Sequence, residues 1–581
     1  MGKRRARDSS STRGLPIGLA VLAIALASFA VYGQILDHEF VDYDDYIYFI
    51  DEPDLDGRIE IADLVSAFAN THQANWSPVT TLSILLGDAL HGPDSAAHLL
   101  TNWALHFLGS SLLFLALLRM TGMLLPSVWV ALVFALHPLH VESVAWASER
   151  KDVLAGVFWM ACLLAYARYS ERPSPAYRAA FVALGLLAAL AKPTAVTLPI
   201  SLLLLDYWPL GRLTRWAELP ARLREKWPLF AVACLVGMLT LLAQEDAGAN
   251  RSALLPLGQR VMNAGLSYWT YLVQTIWPQN LSIFYPYPSP EILSGWRPWA
   301  AWLVGLVLTA AALRSAPRRP YLAMGWFWFV LMLAPMIGLI QVGGQAHADR
   351  YMYVPMVGLL VATAWGSTDW ARERAGNLAT RGLAALALVS VIALGAVAWR
   401  QAGYWRNSVS LFERAIAVTG PNSIPHRFLG VAYWTLGNRP KGEEHLRAAV
   451  AISPRWEGAR LALADALNQT GRHREAQELL HASRAMGFSS AALHAGLGIA
   501  AQGLGDDTTA ALEYRRALVG GLEDWEVKNN LAWLLATTPI QKLRDPESAL
   551  SLARQALTLA PGNPQVIETL AAAQRAAAAA R

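Results

Sequence analysis

Eleven apolar runs dominate the first two thirds of the chain, near residues 15–33, 97–118, 121–138, 152–169, 178–191, 194–210, 228–243, 299–313, 321–340, 351–366 and 380–398. Most have the ~17–25 residues that carry a helix across a bilayer, or nearly so. Hydrocarbon offers no partner to a free backbone N–H or C=O, so runs of this kind must satisfy themselves as helices. With 54% hydrophobic and 16% charged residues, a soluble chain is excluded. A further run at 261–278, rich in Trp and Tyr, is read as re-entrant or interfacial. The expectation is an all-α polytopic membrane bundle of about 11–12 spans. Beyond Arg400 the composition turns to Ala, Leu, Glu and Arg with no long apolar run. Two domains are therefore expected, 1–400 and 401–581, with the change near 401–405.

Basic loops orient such a bundle, because Lys and Arg accumulate on the cytoplasmic side. With the N-terminus inside, the segments 3–7, 119–123, 171–178, 211–226, 314–319 and 371–381 fall inside, and most are rich in Arg and Lys. The first apolar run, with its basic N-terminal flank, reads as an uncleaved membrane helix. The outer segments are then 35–96, 137–151, the tip at Lys192, 244–298 and 341–350, and the C-terminal domain is expected outside as well. Cys162 and Cys234 lie within apolar runs and suggest neither disulfide nor metal. The net charge of +5 gives no case for a nucleic-acid partner.

The expected outer segments carry nearly all the unusual polar residues. Residues 137–152, HPLHVESVAWASERKD, hold His137, His140, Glu142, Arg150 and Lys151 between two apolar runs. Charges that lean into a bundle are costly, so they are kept for function or left at the interface. A solvated loop with interfacial anchors and half of an active site both remain open for this stretch. Asp44 and Asp45 follow the first helix in FVDYDDYIYF, as a base with its partner or as a turn. His98, Asn102 and His106 recur every four residues, on one helical face, as a helix contact or a cavity wall. The His137/His140/Glu142 spacing is too loose for a metal site. Lys192, in AKPTAVTLP, and Arg350, beside Asp349 and Tyr351 in ADRYMYVP, add cations at outer helix ends. Arg150, Lys151, Lys192 and Arg350 run against the positive-inside trend and point to an anionic headgroup substrate.

From about Tyr404 a 34-residue period sets in. Leu429, Gly430, Tyr433, Gly437, Ala449 and Pro454 fit the tetratricopeptide (TPR) consensus, and three further units follow, the last with an insertion around 537–545. Residues 409–421 read as a preceding half repeat. A TPR α-solenoid offers a groove for peptide or protein.

The motifs FVDYDDYIYF, ANWSPVTTLS, HLLTNWALHF, HPLHVESVAWASERKDVL, AKPTAVTLP, DYWPLGR, FYPYP and ADRYMYVP, followed by TPR repeats, resemble the transmembrane and tetratricopeptide-repeat (TMTC) family of O-mannosyltransferases and its bacterial relatives. The resemblance covers essentially the whole chain. It implies a GT-C glycosyltransferase fold, a sugar donor carried on polyprenyl phosphate, and action on hydroxyls of protein acceptors on the non-cytoplasmic side of a bacterial inner membrane. Asp44 or Asp45 would be the general base, with Glu142 orienting a substrate or a cation. Arg150, Lys151, Lys192 or Arg350 would hold the leaving phosphate, and a single displacement would invert the anomeric carbon. The cavity would draw on His98, Asn102, His106, His137, His140, Asp349 and Tyr351. No cofactor is assigned, since GT-C enzymes differ in their need for a divalent cation. Partners would be the lipid-linked sugar, a protein acceptor in the repeat groove and membrane lipid. The alternatives are a non-catalytic membrane-anchored repeat scaffold, a GT-C ligase moving a whole glycan, and a transporter or flippase for lipid-linked sugars, which would place polar residues along the full membrane depth rather than at one face.

Overall fold

Proline and glycine mark the helix ends, as their backbone chemistry requires. Pro175 opens a helix whose N-cap, Ser174, accepts from the Tyr177 N–H, and Gly122 closes the helix Ser95–Thr121 in the left-handed conformation. The computed structural model describes residues 8–50, 55, 57–70, 76–246, 255–340, 343–373 and 377–580. The basic stretch expected at 3–7, and parts of the loops expected at 35–96, 244–298, 341–350 and 371–381, lie outside the described residues. Among the described residues the fold is all helical apart from one isolated bridge, Pro286 with Gln345. Two units separate, Met1–Thr419 and Gly420–Arg581.

In the first unit each of the eleven apolar runs falls on helix. Six described segments are long and apolar enough to cross a membrane: Pro16–Asp37, Ser95–Thr121, Ala147–Glu171, Trp216–Glu245, Trp296–Ser315 and Ala379–Gly403. Shorter apolar helices are Pro175–Ala191, Pro193–Tyr207 and Pro320–Met336. This is the architecture of a multi-pass membrane protein. The run 121–138 does not continue straight into a loop. It breaks ahead of Pro138 and resumes with a 53° bend as Pro138–Ala145, because the residue before proline is driven out of the α conformation. The Trp- and Tyr-rich run forms one 20-residue helix, Leu257–Ile276, which packs on Trp296–Ser315. Pro320–Leu333 and Met356–Glu373 cross at Gly325 and Gly358, where a Cβ on either would lie 2.3 Å from the other's carbonyl oxygen.

The helix Arg150–Glu171 packs on both Ser95–Thr121 and Pro175–Ala191 and carries ionic networks at its two ends. Near its C-terminal end, the Tyr166 hydroxyl sits 2.7 and 2.8 Å from the carboxylate oxygens of Asp206, which also pairs with Lys226 and with Arg212 at 3.1 Å. Arg212 continues to Glu225 at 2.8 Å. This explains the DYWPLGR motif as a brace, because a buried carboxylate is tolerated only when its lone pairs are filled. From Arg150 to Tyr166 the rise is about 24 Å at ~1.5 Å per residue, so the other network lies at the opposite end.

The second unit is a stack of helical hairpins. First helices begin 34 residues apart, at Ser423, Glu457, Ala491 and Trp525. Their partners are Arg439–Ile452, His473–Ala485, Asp507–Val519 and Pro546–Leu559, with Pro564–Ala579 last. The extra residues before Pro546 hold the short turn Gln541–Leu543. Within a hairpin the helices touch through a missing side chain, since a Cβ at Gly498 would stand 2.6 Å from the Tyr514 ring.

Candidate active site

Every residue from Val133 to Arg150 is buried, so HPLHVESVAWASERKD is no solvated loop. Short turns, Pro138–His140, Val141–Ala145 and Ala147–Glu149, fold it into the end of the bundle. Charged groups placed there need partners, and those partners assemble the site.

Glu149 is the hub. Its carboxylate lies 3.1 Å from Lys151, 3.2 Å from the Arg350 Nε and 3.9 Å from Lys192. Arg350 also pairs with Glu142, whose second oxygen accepts the Arg350 backbone N–H at 2.9 Å. Lys192 pairs with Asp152, which accepts from Ser143 at 3.0 Å. Burial opposes the Arg350 charge, but Glu142 and Glu149 outweigh it and hold the guanidinium well above its usual range. The Arg350 guanidinium lies over the rings of Trp146 and Tyr351 at 5.5 and 5.2 Å. Three cations and three carboxylates, drawn from separate segments, thus meet at one place. Beside them opens a narrow cleft lined by Asp152, Lys192, Arg350 and the apolar faces of Trp159, Met332 and Met336.

The two adjacent aspartates differ. Asp45 is fully engaged: one oxygen accepts from the Val41 N–H at 3.0 Å, the other from the Ser148 N–H at 2.9 Å and from the Ser148 hydroxyl. Burial pushes it up to about 7 against those bonds. Asp44 caps the helix Asp45–Phe49 without a side-chain capping bond, and among the described residues its carboxylate enters no hydrogen bond or ion pair. Burial raises its pKa, and Lys151 is the strongest charge acting the other way. The acidic loop is tied down from far along the chain: Glu39 N–H donates to the Arg406 carbonyl at 2.9 Å and Asp42 N–H to the Ser408 hydroxyl at 2.8 Å.

Asp349 accepts from the Tyr285 hydroxyl at 2.7 Å. Burial, helped by the Glu142 charge, raises its pKa well above the carboxylate range. The FYPYP motif therefore braces the Arg350 segment, with Tyr285 also stacked on His347 at 4.1 Å. The Tyr351 hydroxyl accepts from Gln345 at 2.8 Å.

The remaining candidates turn inward. Arg150 is fully buried away from the carboxylates. It donates to Asn102 Oδ1 at 2.9 Å and the His98 carbonyl at 2.8 Å, and lies 3.2 Å from His98 Nδ1. His98 and Asn102 thus serve a helix contact, and Asn102 completes it by donating to the Trp146 carbonyl at 3.0 Å. His106 bridges the Tyr353 hydroxyl at 2.8 Å and the Ala135 carbonyl at 3.1 Å, His140 meets the Phe134 carbonyl at 2.7 Å, and His137 meets the Thr275 carbonyl at 3.0 Å. These histidines stitch the bend at Pro138 to its neighbours. Sequence reasoning passed over Glu149 and Asp152. Their signal was an acidic pair three residues apart that brackets Arg150 and Lys151 between two apolar runs.

No family model matches the chain. Among curated proteins it is similar to the protein O-mannosyl-transferase TMTC4 of Mus musculus, 23% identical over 74% of this chain and 66% of that one. The Homo sapiens TMTC4 matches at 23% over 73% and 65%, and the Caenorhabditis elegans protein O-mannosyl-transferase F38B6.6 at 21% over 78% and 65%. The chain is thus similar to TMTC proteins over about three quarters of its own length. It spans about two thirds of the length of the curated relatives it matches. Of solved structures, a TPR protein of Thermus thermophilus is similar at 23% identity, covering 32% of this chain and 95% of that one, with a TM-score of 0.25. In this chain, the engaged Asp45, the unengaged Asp44 and the cation cluster are the parts with chemical capacity.

Proposed function

We propose that the chain is a membrane glycosyltransferase that moves a hexose, mannose by analogy with its relatives, from a polyprenyl-phosphate carrier to hydroxyls of protein acceptors on the non-cytoplasmic side. One observation carries the reading: an unengaged carboxylate, Asp44, within electrostatic reach of Lys151 and Arg350, in a site that also gathers Lys192. Asp44 takes the proton of the acceptor hydroxyl as general base. The hydroxyl oxygen attacks the anomeric carbon as the bond to the phosphate oxygen breaks, and that bond's electron pair leaves with the phosphate. Arg350 and Lys192, fixed in advance by Glu142, Glu149 and Asp152, stabilise the growing negative charge without reorganising. Single displacement inverts the anomeric configuration. The apolar wall of the cleft suits the isoprenoid end of the donor. The repeat unit docks the acceptor, and tethering raises its effective concentration to about the millimolar range.

The test is transfer by the purified full chain from mannosyl-phosphoryl polyprenol to a Ser/Thr peptide, read by mass spectrometry. A hexose-sized gain with the inverted linkage is expected; donor left intact with every acceptor tried would refute the reading. Alkaline phosphatase fused after Arg400 should be active, and inactivity there would reverse the sidedness.

A further inference from the structure

Glu513 is 4% exposed and sits between three basic side chains. Arg484 approaches it at 3.1 Å, Arg516 at 2.9 Å and His494 at 2.6 Å. One buried carboxylate thus fixes the arms of two exposed arginines. Arg515, next to them and exposed, enters no ion pair within 4 Å among the described residues. Arg515 and Arg516 rim an open groove between the start of Ala491–Gly503 and the end of Asp507–Val519. Along the helix Asp507–Val519, Leu512, Arg515, Arg516 and Val519 fall at i, i+3, i+4 and i+7, on one face. Leu512 is 48% exposed and Val519 90% exposed. The face therefore reads apolar, cationic, apolar over about 10 Å, taking ~1.5 Å per helical residue.

We propose that this groove of the repeat unit is a docking site for an extended peptide segment that carries acidic residues between two apolar ones. Charge decides the sign of the occupant, since Arg515 and Arg516 line the groove with His494 and no carboxylate is among its lining residues. Spacing decides its form, since an extended chain at ~3.3 Å per residue covers the stripe with about four residues. The apolar ends reject a purely polyanionic ligand, because exposed Leu512 and Val519 gain only by covering apolar surface. The identity of this segment as part of a glycosylation acceptor rests on the function proposed above; the binding itself does not.

The experiment titrates the full chain, purified in zwitterionic nanodiscs, with a fluorescent peptide of alternating Leu and Glu that contains no Ser or Thr. Saturable binding is expected that weakens with salt. Arg515→Glu and, separately, Val519→Asp should each weaken it at least about tenfold, as like charges are brought together. Both positions are exposed, so the fold survives. Arg515→Glu should in turn gain affinity for the matching Leu/Lys peptide, a gain that unfolding cannot imitate. Equal affinity for the Glu and Lys peptides in the unaltered chain, or no change in either variant, would overturn the proposal. Binding of phosphatidylglycerol vesicles, sensitive to Arg515→Glu, with no peptide binding would assign the face to lipid and overturn it too. The peptide has no hydroxyl, so its binding is read apart from transfer: binding here with no transfer to the Ser/Thr peptide of the first assay sinks the enzymatic reading alone, and transfer there with no binding here sinks this one alone.

Discussion

Asp44 and Asp45 are neighbours of identical chemistry with opposite situations. Three donors, at Val41 and Ser148, fill the oxygens of Asp45, whereas Asp44 has no such bonds. Asp44→Asn should cut the turnover rate by roughly 100- to 10,000-fold, the usual range for loss of a general base, with the thermal unfolding temperature unchanged. Asp45→Asn should instead lower stability by about 1–3 kcal/mol, because its amide would turn a donor toward the Val41 or Ser148 N–H. Calorimetry beside rate measurement separates the two, and a rate loss confined to Asp45→Asn would reverse the assignment. The pH profile offers a second check. A base works ionised, so activity is present above its pKa and lost as pH falls through it. Burial raises the Asp44 value, so the acidic limb of kcat/KM should stand above the ordinary aspartate value of about 3.9. Lys151→Met removes the strongest opposing charge and should move that limb to higher pH. A limb that stays in place would mean another group is the base.

At the scale of elements, the site depends on the short turns that fold 137–149 into the bundle end and on the two segments that bring Lys192 and Arg350 to them. Glu149 ends one turn, Lys192 closes the helix Pro175–Ala191, and Arg350 lies in the turn Asp349–Met352. The Glu149 carboxylate therefore sets the spacing of cations that the backbone does not itself fix. Glu149→Gln keeps the shape and removes the charge. We expect donor use to fall by up to about 100-fold, the cost of misplacing a reacting group by about an ångström, while acceptor KM stays near its original value. Initial rates with each substrate varied in turn would show the split. Equal losses on both substrates would mean that Glu149 serves folding.

For the whole molecule, the point at which the chain can be cut matters. The last long helix of the membrane unit runs to Gly403, yet Arg406 and Ser408 hold the acidic loop through Glu39 and Asp42, and Trp405 packs against Trp146 at 5.6 Å. Truncation after Thr419 should leave transfer to a short Ser/Thr peptide within a few-fold of the full chain, since little of the fixed geometry is disturbed, and should reduce modification of intact protein acceptors. Truncation after Arg400 should abolish both. In-vitro assays of the two truncations decide it, and equal activity would show that 401–419 does not hold the loop.

The sequence by itself determined the membrane helices and the 34-residue hairpins, because hydropathy and repeat period are written along the chain. It also brought Asp44, Glu142, Lys192 and Arg350 forward as candidates, because charge beside apolar runs is costly wherever the fold puts it. It could not separate Arg150 from Lys151. Successive residues of a helix point about 100° apart, so one guanidinium meets Asn102 and His98 while the next side chain meets Glu149. Nor could it tell Asp44 from Asp45, or join 401–419 to the acidic loop. Those answers rest on hydrogen bonds between groups as far apart in the chain as Asp42 and Ser408, 366 residues, or Glu39 and Arg406, and only the tertiary structure brings such groups within 3 Å.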